Sequence, residues 1–167
     1  NFVAVISAVS LYNINTEIIQ KALSQFVLNN GRLEEIKIND IDTVINLAKN
    51  PTGCNVSLRI LNEDDSEKEL LFVLNDNLAD GRDVSWIWDI NFDNLNNVTR
   101  IITSGKRAYD IAIRIKTAGY DISKIEPYLN LEDAVKNLYK TDTKKYVIAN
   151  YTALQPTRKE IFNIQNK

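Results

Sequence analysis

The segment Glu69-Leu70-Leu71-Phe72-Val73-Leu74 decides the fold class of this chain. It is a nearly unbroken apolar run that is too short for most helices, and its length suits a β-strand covered on both faces. Strands of this kind are typical of parallel sheets, in which helices pack on either side. The segment therefore predicts an α/β protein with a buried central strand.

Further strands and helices alternate around this segment. Helices with one apolar stripe follow three of the strands, as the crossover connections of a parallel sheet require. The predicted strands are residues 33–38, 42–48, 69–74, 98–103 and 145–150, and the predicted helices are residues 52–61, 106–118, 131–139 and 153–164. This order predicts a Rossmann-like, mostly parallel sheet flanked by helices.

Two helical segments precede the first predicted strand. Residues 2–12 are apolar and small, and we expect one helical face of this segment to be buried. That face carries Val3, Ile6, Val9 and Leu11. A second helix is predicted over residues 16–27, with Asn15 as its N-cap.

The composition is that of a globular protein without the residues that several enzyme classes need. Of the 167 residues, 44% are hydrophobic and 25% are charged, and the formal net charge is -2. The single cysteine, Cys54, excludes an internal disulfide and a cysteine zinc cluster. Because there is no histidine, the chain cannot form a complete Ser-His-Asp or Cys-His catalytic set. We therefore predict no metal site in this chain. Charges of both signs are interleaved, so nucleic acid is not an expected partner.

The length and the start of the sequence bear on where the chain works. A length of 167 residues predicts one domain. No apolar run approaches the roughly 20 residues of a membrane span, and the first residues lack the charged start of a signal peptide. We therefore expect a cytoplasmic protein without a transmembrane segment. Because the sequence contains no methionine, we expect it to be a piece of a longer chain.

Three predicted loops follow strands, at the edge where open α/β sheets bind their ligands. In residues 49–53, Pro51 stiffens the turn, Thr52 is expected to cap the next helix, and the exposed N–H groups suit an anion. Residues 75–83, which we call the acidic loop, carry three carboxylates and an arginine. Residues 104–107 contain one glycine and no Walker sequence. An ordinary surface turn is the alternative for each loop taken alone.

A tryptophan-containing segment follows the acidic loop. The rings of Trp86 and Trp88 either wall a site or pack beneath it, and buried aromatic support is the favoured role. Cys54, near a predicted helix start, is expected to be a small buried residue. The helix start could lower its pKa, but no catalytic role is expected because no histidine is present to activate it. The acidic loop is therefore the main candidate site.

The run Asp80-Gly81-Arg82-Asp83-Val84-Ser85-Trp86-Ile87-Trp88-Asp89 resembles the signature of the MurT family C-terminal domain. Members of this family are the Mur-ligase-like subunits of glutamine-dependent lipid II isoglutaminyl synthase. Other segments that resemble the domain are Gly31-Arg32-Leu33-Glu34, Leu47-Ala48-Lys49-Asn50-Pro51-Thr52-Gly53, Ser104-Gly105 with Arg107, Ala112, Arg114 and Gly119, and Tyr151-Thr152-Ala153-Leu154. The resemblance implies a Mur-ligase-type C-terminal domain over residues 30–167. Residues 1–29 resemble the helices that close a central ATPase domain and lead across the hinge.

The resemblance implies an activity that this chain would perform only together with other domains and a second subunit. Such a ligase uses ATP and Mg²⁺ to activate the α-carboxylate of D-isoglutamate in lipid II, during peptidoglycan synthesis at the inner face of the membrane. Ammonia from a separate glutaminase subunit, GatD, which docks on the C-terminal domain, then gives D-isoglutamine. The P-loop and a four-cysteine zinc ribbon belong to the central domain of such proteins, so zinc is expected only there. The fragment alone would be inactive.

The resemblance also implies roles for individual residues. An essential aspartate lies in or beside the acidic loop, and this role is carried over to Asp83 first, Asp80 second and Asp89 third. It would either orient phosphates and ammonia or hold the partner's catalytic histidine in the right tautomer. Contacts to the nucleotide are expected from Lys49, Asn50, Thr52 and Arg82, the arginine stabilising phosphate charge.

Pro156 departs from the expected pattern, because it falls inside the last predicted helix and is expected to delay or kink it.

Two other functions stay open at this point. A non-enzymatic, Rossmann-like protein-interaction module would explain the missing histidine and Walker motif equally well. Another Mur-type or folate-polyglutamating ligase domain would use related loops, but it is not expected to carry the Trp-Ile-Trp-Asp run.

Overall fold

The computed structural model of the chain describes residues 2–26, 29–93 and 95–165. The strands are β1 (Glu34–Ile38), β2 (Ile41–Leu47), β3 (Lys68–Val73), β4 (Val98–Ser104), β5 (Ile125–Tyr128) and β6 (Lys144–Ala149). The α-helices are α1 (Phe2–Ser10), α2 (Thr16–Ser24), α3 (Pro51–Glu63), α4 (Ala108–Thr117), α5 (Leu131–Leu138) and α6 (Tyr151–Gln165). Two short 3₁₀ helices span Ser85–Asp89 and Ile122–Lys124. The five predicted strands lie within one residue of observed ones.

The six strands form one sheet in the order β1-β2-β6-β3-β4-β5. Strands β1 and β2 pair antiparallel, and every other neighbouring pair is parallel. The sheet is therefore mostly parallel, which confirms the predicted fold class. The carboxyl ends of β2, β6, β3 and β4 lie next to one another, and we call this side of the sheet the carboxyl edge.

Hydrophobic side chains cover both faces of the sheet, and β3 shows how. Its six residues are all buried. Leu70 and Phe72 belong to a cluster that includes residues of α3, α4 and the first 3₁₀ helix, whereas Leu71 and Val73 belong to a second cluster with residues of α5 and α6. Because side chains alternate along a strand, the continuous apolar run supplies both clusters at once.

Two features near the end of the chain differ from the sequence prediction. Strand β5 was not predicted, because it has four residues and contains Pro127, which is tolerated at the sheet edge where β5 lies. Helix α6 is neither delayed nor broken at Pro156: it begins at Tyr151, two residues before the predicted start, and runs to Gln165. Buried residues of α6 lie on both sides of the exposed proline, and their packing holds the helix together: Ala153, Leu154, Thr157 and Ile161.

The N-terminal helices are exposed, contrary to the predicted buried face. Val3 is 78% exposed and Leu11 82%, Ile6 is also exposed, and Val9 is half-buried. The physical reason is that, over the described residues, neither hydrophobic cluster includes a residue of α1. Asn15 caps α2 as predicted, since its side chain accepts a hydrogen bond from the Glu17 N–H at 2.9 Å. The predicted helix end at Val27 lies outside the described residues.

Candidate functional site

The carboxyl edge brings the three predicted loops together with a fourth segment. Residues 49–53 follow β2, the acidic loop follows β3, and residues 105–107 follow β4. The fourth segment is the turn from β6 into α6, at Asn150, and β6 lies between β2 and β3 in the sheet. All four segments are therefore neighbours, at the edge where this class of sheet binds ligands.

Asn50, and not Thr52, caps helix α3. The Asn50 side chain accepts a hydrogen bond from the Gly53 N–H at 2.8 Å, and Pro51 occupies the first helical turn. The prediction of a Thr52 cap was wrong because the helix begins before that residue, so Thr52 lies inside its first turn and is exposed. The ammonium of Lys49 lies 4.6 Å from the ring centre of Tyr151, which joins the starts of α3 and α6.

Amide side chains hold the acidic loop to its neighbours. The Asn75 N–H donates to Asn150 Oδ1 at 3.1 Å, and Asn150 Nδ2 donates back to the Asn75 carbonyl at 2.7 Å. The Lys106 N–H donates to Asn75 Oδ1 at 3.1 Å. At Gly105 (φ +89°), an added Cβ would lie 2.5 Å from the Leu74 carbonyl oxygen, so only glycine fits this close approach. The root of the loop is thus fixed.

Asp80 binds the start of helix α6. Its carboxylate accepts the Thr152 N–H at 2.8 Å and also accepts a short hydrogen bond from the Thr152 hydroxyl. Because Thr152 is the second residue of α6, Asp80 places a negative charge at the positive end of a 15-residue helix. The Asp80 carboxylate is therefore held by hydrogen bonds to the start of α6.

Asp83 points its charge to solvent. It is exposed, and its Oδ1 accepts a hydrogen bond from the Ser85 N–H at 2.8 Å, at the start of the first 3₁₀ helix. Hydrogen bonds from Ser85 lower the pKa of Asp83 below its ordinary value, so the carboxylate is charged at neutral pH. Arg82 and Asp89 are exposed as well. Of the three predicted aspartates, Asp80 is thus half-buried against α6, whereas Asp83 and Asp89 are both exposed.

The two tryptophans have different surroundings. Trp86 is half-buried and lines a small cavity with Asp80, whereas Trp88 is 55% exposed. The prediction of buried support was wrong for Trp88, because the short 3₁₀ helix buries Ile87 and leaves Trp88 outside. Arg114 of α4 lies 5.8 Å from the Trp88 ring and donates to the Ile90 carbonyl at 2.5 Å. This contact fixes the end of the segment.

The cavity beside Asp80 measures about 30 Å³ and is lined by Lys49, Ala79, Asp80, Trp86, Asn150 and Tyr151. Small-ligand sites enclose roughly 300–1,000 Å³, so this one holds at most a few water molecules. Across residues 2–26, 29–93 and 95–165, no three carboxylate or cysteine side chains cluster closely enough to hold a metal ion. Cys54 is fully buried, as predicted, and burial raises the pKa of its thiol far above the ordinary value, which makes it a poor nucleophile.

Sequence reasoning assigned no role to Asn150 and Thr152, the residues that tie the acidic loop to α6. The signal that would have found them is their position at the carboxyl end of a predicted buried strand: Asn150 is the last residue of predicted strand 145–150, and Thr152 follows it. What hid them was the strand order: nothing local in the sequence places β6 next to β3.

Comparisons with known proteins agree on one family. A model of the family described as MurT ligase C-terminal matches residues 47–154. The MurT subunit of lipid II isoglutaminyl synthase (glutamine-hydrolyzing) from Staphylococcus aureus strain COL is 34% identical over 166 residues, which cover 96% of this chain and 37% of that protein. The corresponding subunit from Streptococcus pneumoniae is 31% identical over 157 residues, which cover 92% and 35%. The chain thus spans about a third of the length of these relatives.

Solved structures share the fold at lower identity. The UDP-N-acetylmuramate-alanine ligase MurC of Thermotoga maritima matches with a TM-score of 0.71 and 12% identity, over 99% of this chain and 37% of that one. The folylpolyglutamate synthase of Mycobacterium tuberculosis, complexed with ADP and AMPPCP, matches with a TM-score of 0.59 and 15% identity, over 89% and 35%.

The helices of the described residues are all too short or too polar to span a membrane.

The fold of the sheet agrees with that of the Mur ligases, and the family match spans the segments at the carboxyl edge from Leu47 to Leu154. This chain belongs to the family of MurT ligase C-terminal domains.

Proposed function

We propose that this chain is the C-terminal domain of an ATP-dependent ligase subunit that converts the α-carboxylate of D-isoglutamate in lipid II to an amide. The observation that carries the proposal is the placement of the acidic loop. It lies at the carboxyl edge beside the start of α6, with Asp83 exposed and charged. An exposed carboxylate on a firmly anchored loop suits a site that a second polypeptide segment completes.

ATP with Mg²⁺ is the proposed cofactor, and the residues present fit one side of a nucleotide site. The N-terminus of α3 and the Lys49 ammonium favour phosphate charge, and Asn50, Thr52 and Arg82 lie in the same two loops. The cavity of about 30 Å³ is too small to enclose a nucleotide. The remainder of the longer protein, with its P-loop and zinc ribbon, is therefore proposed to close the site.

A glutaminase subunit, GatD, is the proposed partner and supplies ammonia. The relatives' names describe a glutamine-hydrolyzing synthase with a MurT subunit, which supports a second subunit. We propose that residues 1–29 belong to the end of the central ATPase domain and the hinge, and that the exposed apolar side chains of α1 are covered there. The assembly would act on lipid II in the cytoplasm, at the inner face of the membrane.

Within this assembly, Asp83 is the proposed catalytic residue. On the ligase side it would orient phosphates and the attacking ammonia, and on the glutaminase side it would hold a histidine of the partner in the reactive tautomer. Either role needs a charged carboxylate that protrudes from the domain, and Asp83 meets that requirement.

The test is Asp83→Asn in the assembled ligase, with Asp65→Asn as the matched control at the opposite end of β3, where Asp65 is also exposed. We expect Asp83→Asn to lower amidation of lipid II by about 10²- to 10⁴-fold, and Asp65→Asn to leave it unchanged. Amidation is measured by mass spectrometry, once with glutamine and once with an ammonium salt as the nitrogen source.

The two nitrogen sources separate the two roles of Asp83. If ammonium restores the Asp83→Asn variant, the carboxylate serves glutamine hydrolysis; if it does not, the carboxylate serves the ligase reaction. Wild-type rates with both sources would overturn the proposal for Asp83. If replacing the acidic loop abolishes binding of the second subunit but leaves amidation with ammonium unchanged, the loop is a docking surface only, as in the alternative of a non-enzymatic interaction module.

A further inference from the structure

We propose that Thr152, the second residue of α6, is a positioning residue that sets where the acidic loop presents Asp83. The inference rests on the proposed function of that loop. It concerns a residue that need not contact substrate, because Thr152 acts through Asp80.

The hydroxyl of Thr152 is fully used by the acidic loop. A threonine hydroxyl has one proton to donate and two lone pairs to accept with. The proton goes to the Asp80 carboxylate. One lone pair accepts Asn77 Nδ2 at 2.7 Å, and Asn75 Nδ2 approaches the same oxygen at 3.4 Å. The Thr152 N–H adds a second bond to Asp80 at 2.8 Å. Three residues of one loop therefore converge on one side chain.

Helix α6 gives Thr152 a fixed position. The next two residues, Ala153 and Leu154, are buried in the core cluster that β3 shares with α5 and α6. The Asn150 carbonyl accepts the N–H groups of both residues, so the first turn of the helix is closed directly behind Thr152. The acidic loop is consequently tied to a helix start that is packed into the core.

Asp83 lies only three residues beyond Asp80, across Gly81 with its φ of +83°. No packing contact restrains the backbone at Gly81, since nothing lies within 4 Å of the position that a Cβ would occupy. Two sets of hydrogen bonds therefore determine the position of the Asp83 carboxylate. The bonds between Asp80 and Thr152 hold the chain before it, and the Ser85 N–H binds the carboxylate itself.

The experiment compares Thr152→Val with Thr152→Ser. Valine keeps the shape and the N–H but removes the hydroxyl, whereas serine restores it. In the 167-residue chain, we expect Thr152→Val to shift the amide resonances of residues 80–83 and the indole N–H of Trp86, which lines the cavity beside Asp80. Thr152→Ser should leave these signals near their wild-type positions.

In the assembled ligase, we expect Thr152→Val to lower kcat about 10- to 100-fold, because a small displacement of a catalytic group has effects of this size. KM for ATP and glutamine should stay within about twofold, and Thr152→Ser should recover most of kcat. Thr157→Val is the matched control: Thr157 lies in the same helix, and its hydroxyl donates to the Ala153 carbonyl, away from the acidic loop.

Two results would overturn the inference. The first is that Thr152→Val keeps both the loop resonances and the kcat of the wild type. The second is that Thr157→Val loses as much kcat as Thr152→Val, which would indicate a general weakening of α6. If Thr152→Val displaces the loop while Asp83→Asn keeps full activity, the positioning by Thr152 stands and the proposed catalytic role of Asp83 fails. The two proposals are therefore tested separately.

Discussion

Charged side chains lie at the amino ends of strands β3, β4 and β6, and also in the loops that follow the carboxyl ends of β3 and β4. The two edges of the sheet use these charges in opposite ways. At the amino ends, Glu69 aligns with Arg100 on β4 and with Lys145 on β6. The Arg100 guanidinium donates to both oxygens of Glu69, at 3.1 and 2.9 Å, and Lys145 Nζ donates at 2.8 Å. The Lys145 side chain is fully buried and that of Glu69 is 4% exposed. We call these three residues the amino-edge ion cluster.

At the carboxyl edge, the carboxylates of the proposed site bind uncharged donors. Asp80 accepts from the N–H and hydroxyl of Thr152, and Asp83 accepts from the N–H of Ser85. Asp76 is the exception, since it pairs with Arg107 at 2.9 Å. Charges that neutralise one another in the interior contribute to the fold, whereas a negative charge held by neutral donors stays available to a ligand or partner. The amino edge is thus structural and the carboxyl edge is suited to chemistry.

The largest effect is expected from Glu69→Gln. Removing this charge leaves the buried Lys145 ammonium beside hydroxyl groups, while the Arg100 guanidinium retains its 3.5 Å pair with Glu126. A buried charge that loses its partner typically lowers the free energy of unfolding by about 3–5 kcal/mol. Urea denaturation of the 167-residue chain measures this loss. Glu63→Gln is the control, because the Arg59–Glu63 pair is 3.8 Å long and exposed, so its loss should change stability by less than about 0.5 kcal/mol. Equal losses in the two variants would contradict the contrast between buried and exposed charge.

The same cluster predicts a dependence on pH. Burial by itself raises the pKa of Glu69, but hydrogen bonds from Arg100 and Lys145 outweigh it and hold the pKa below the ordinary 4.5. The folded state therefore binds fewer protons than the unfolded state, and the stabilisation is present above pH 4.5 and is lost as the pH falls through the folded pKa. We expect the stability difference between wild type and Glu69→Gln to shrink from pH 7 to pH 3. A difference that stays constant over this range would show that the Glu69 charge is not what stabilises the cluster.

The sequence predicts the two ends of the sheet unequally well. The apolar run at β3 and the polar residues after it are local signals, so the carboxyl edge and its acidic loop can be located in advance. The amino-edge ion cluster cannot, because Lys145 lies 76 residues from Glu69 and becomes its neighbour only through the strand order. The link from Asp80 to Thr152, across 72 residues, is hidden for the same reason. The exposure of α1 was missed because helical spacing predicts an apolar face but not what covers it.

The smallest effects are expected in the acidic loop itself, where Asp80 and Asp83 should differ. Asp80→Asn replaces one acceptor oxygen by an NH₂ group facing the Thr152 hydroxyl, so one of two hydrogen bonds is lost and stability falls by about 1–2 kcal/mol. In Asp83→Asn the amide oxygen can still accept the Ser85 N–H, and asparagine is as good a cap as aspartate. We therefore expect no measurable shift of its urea midpoint at pH 7. A larger loss in Asp83→Asn than in Asp80→Asn would mean that Asp83, not Asp80, anchors the loop, and any loss of amidation in that variant could no longer be assigned to chemistry.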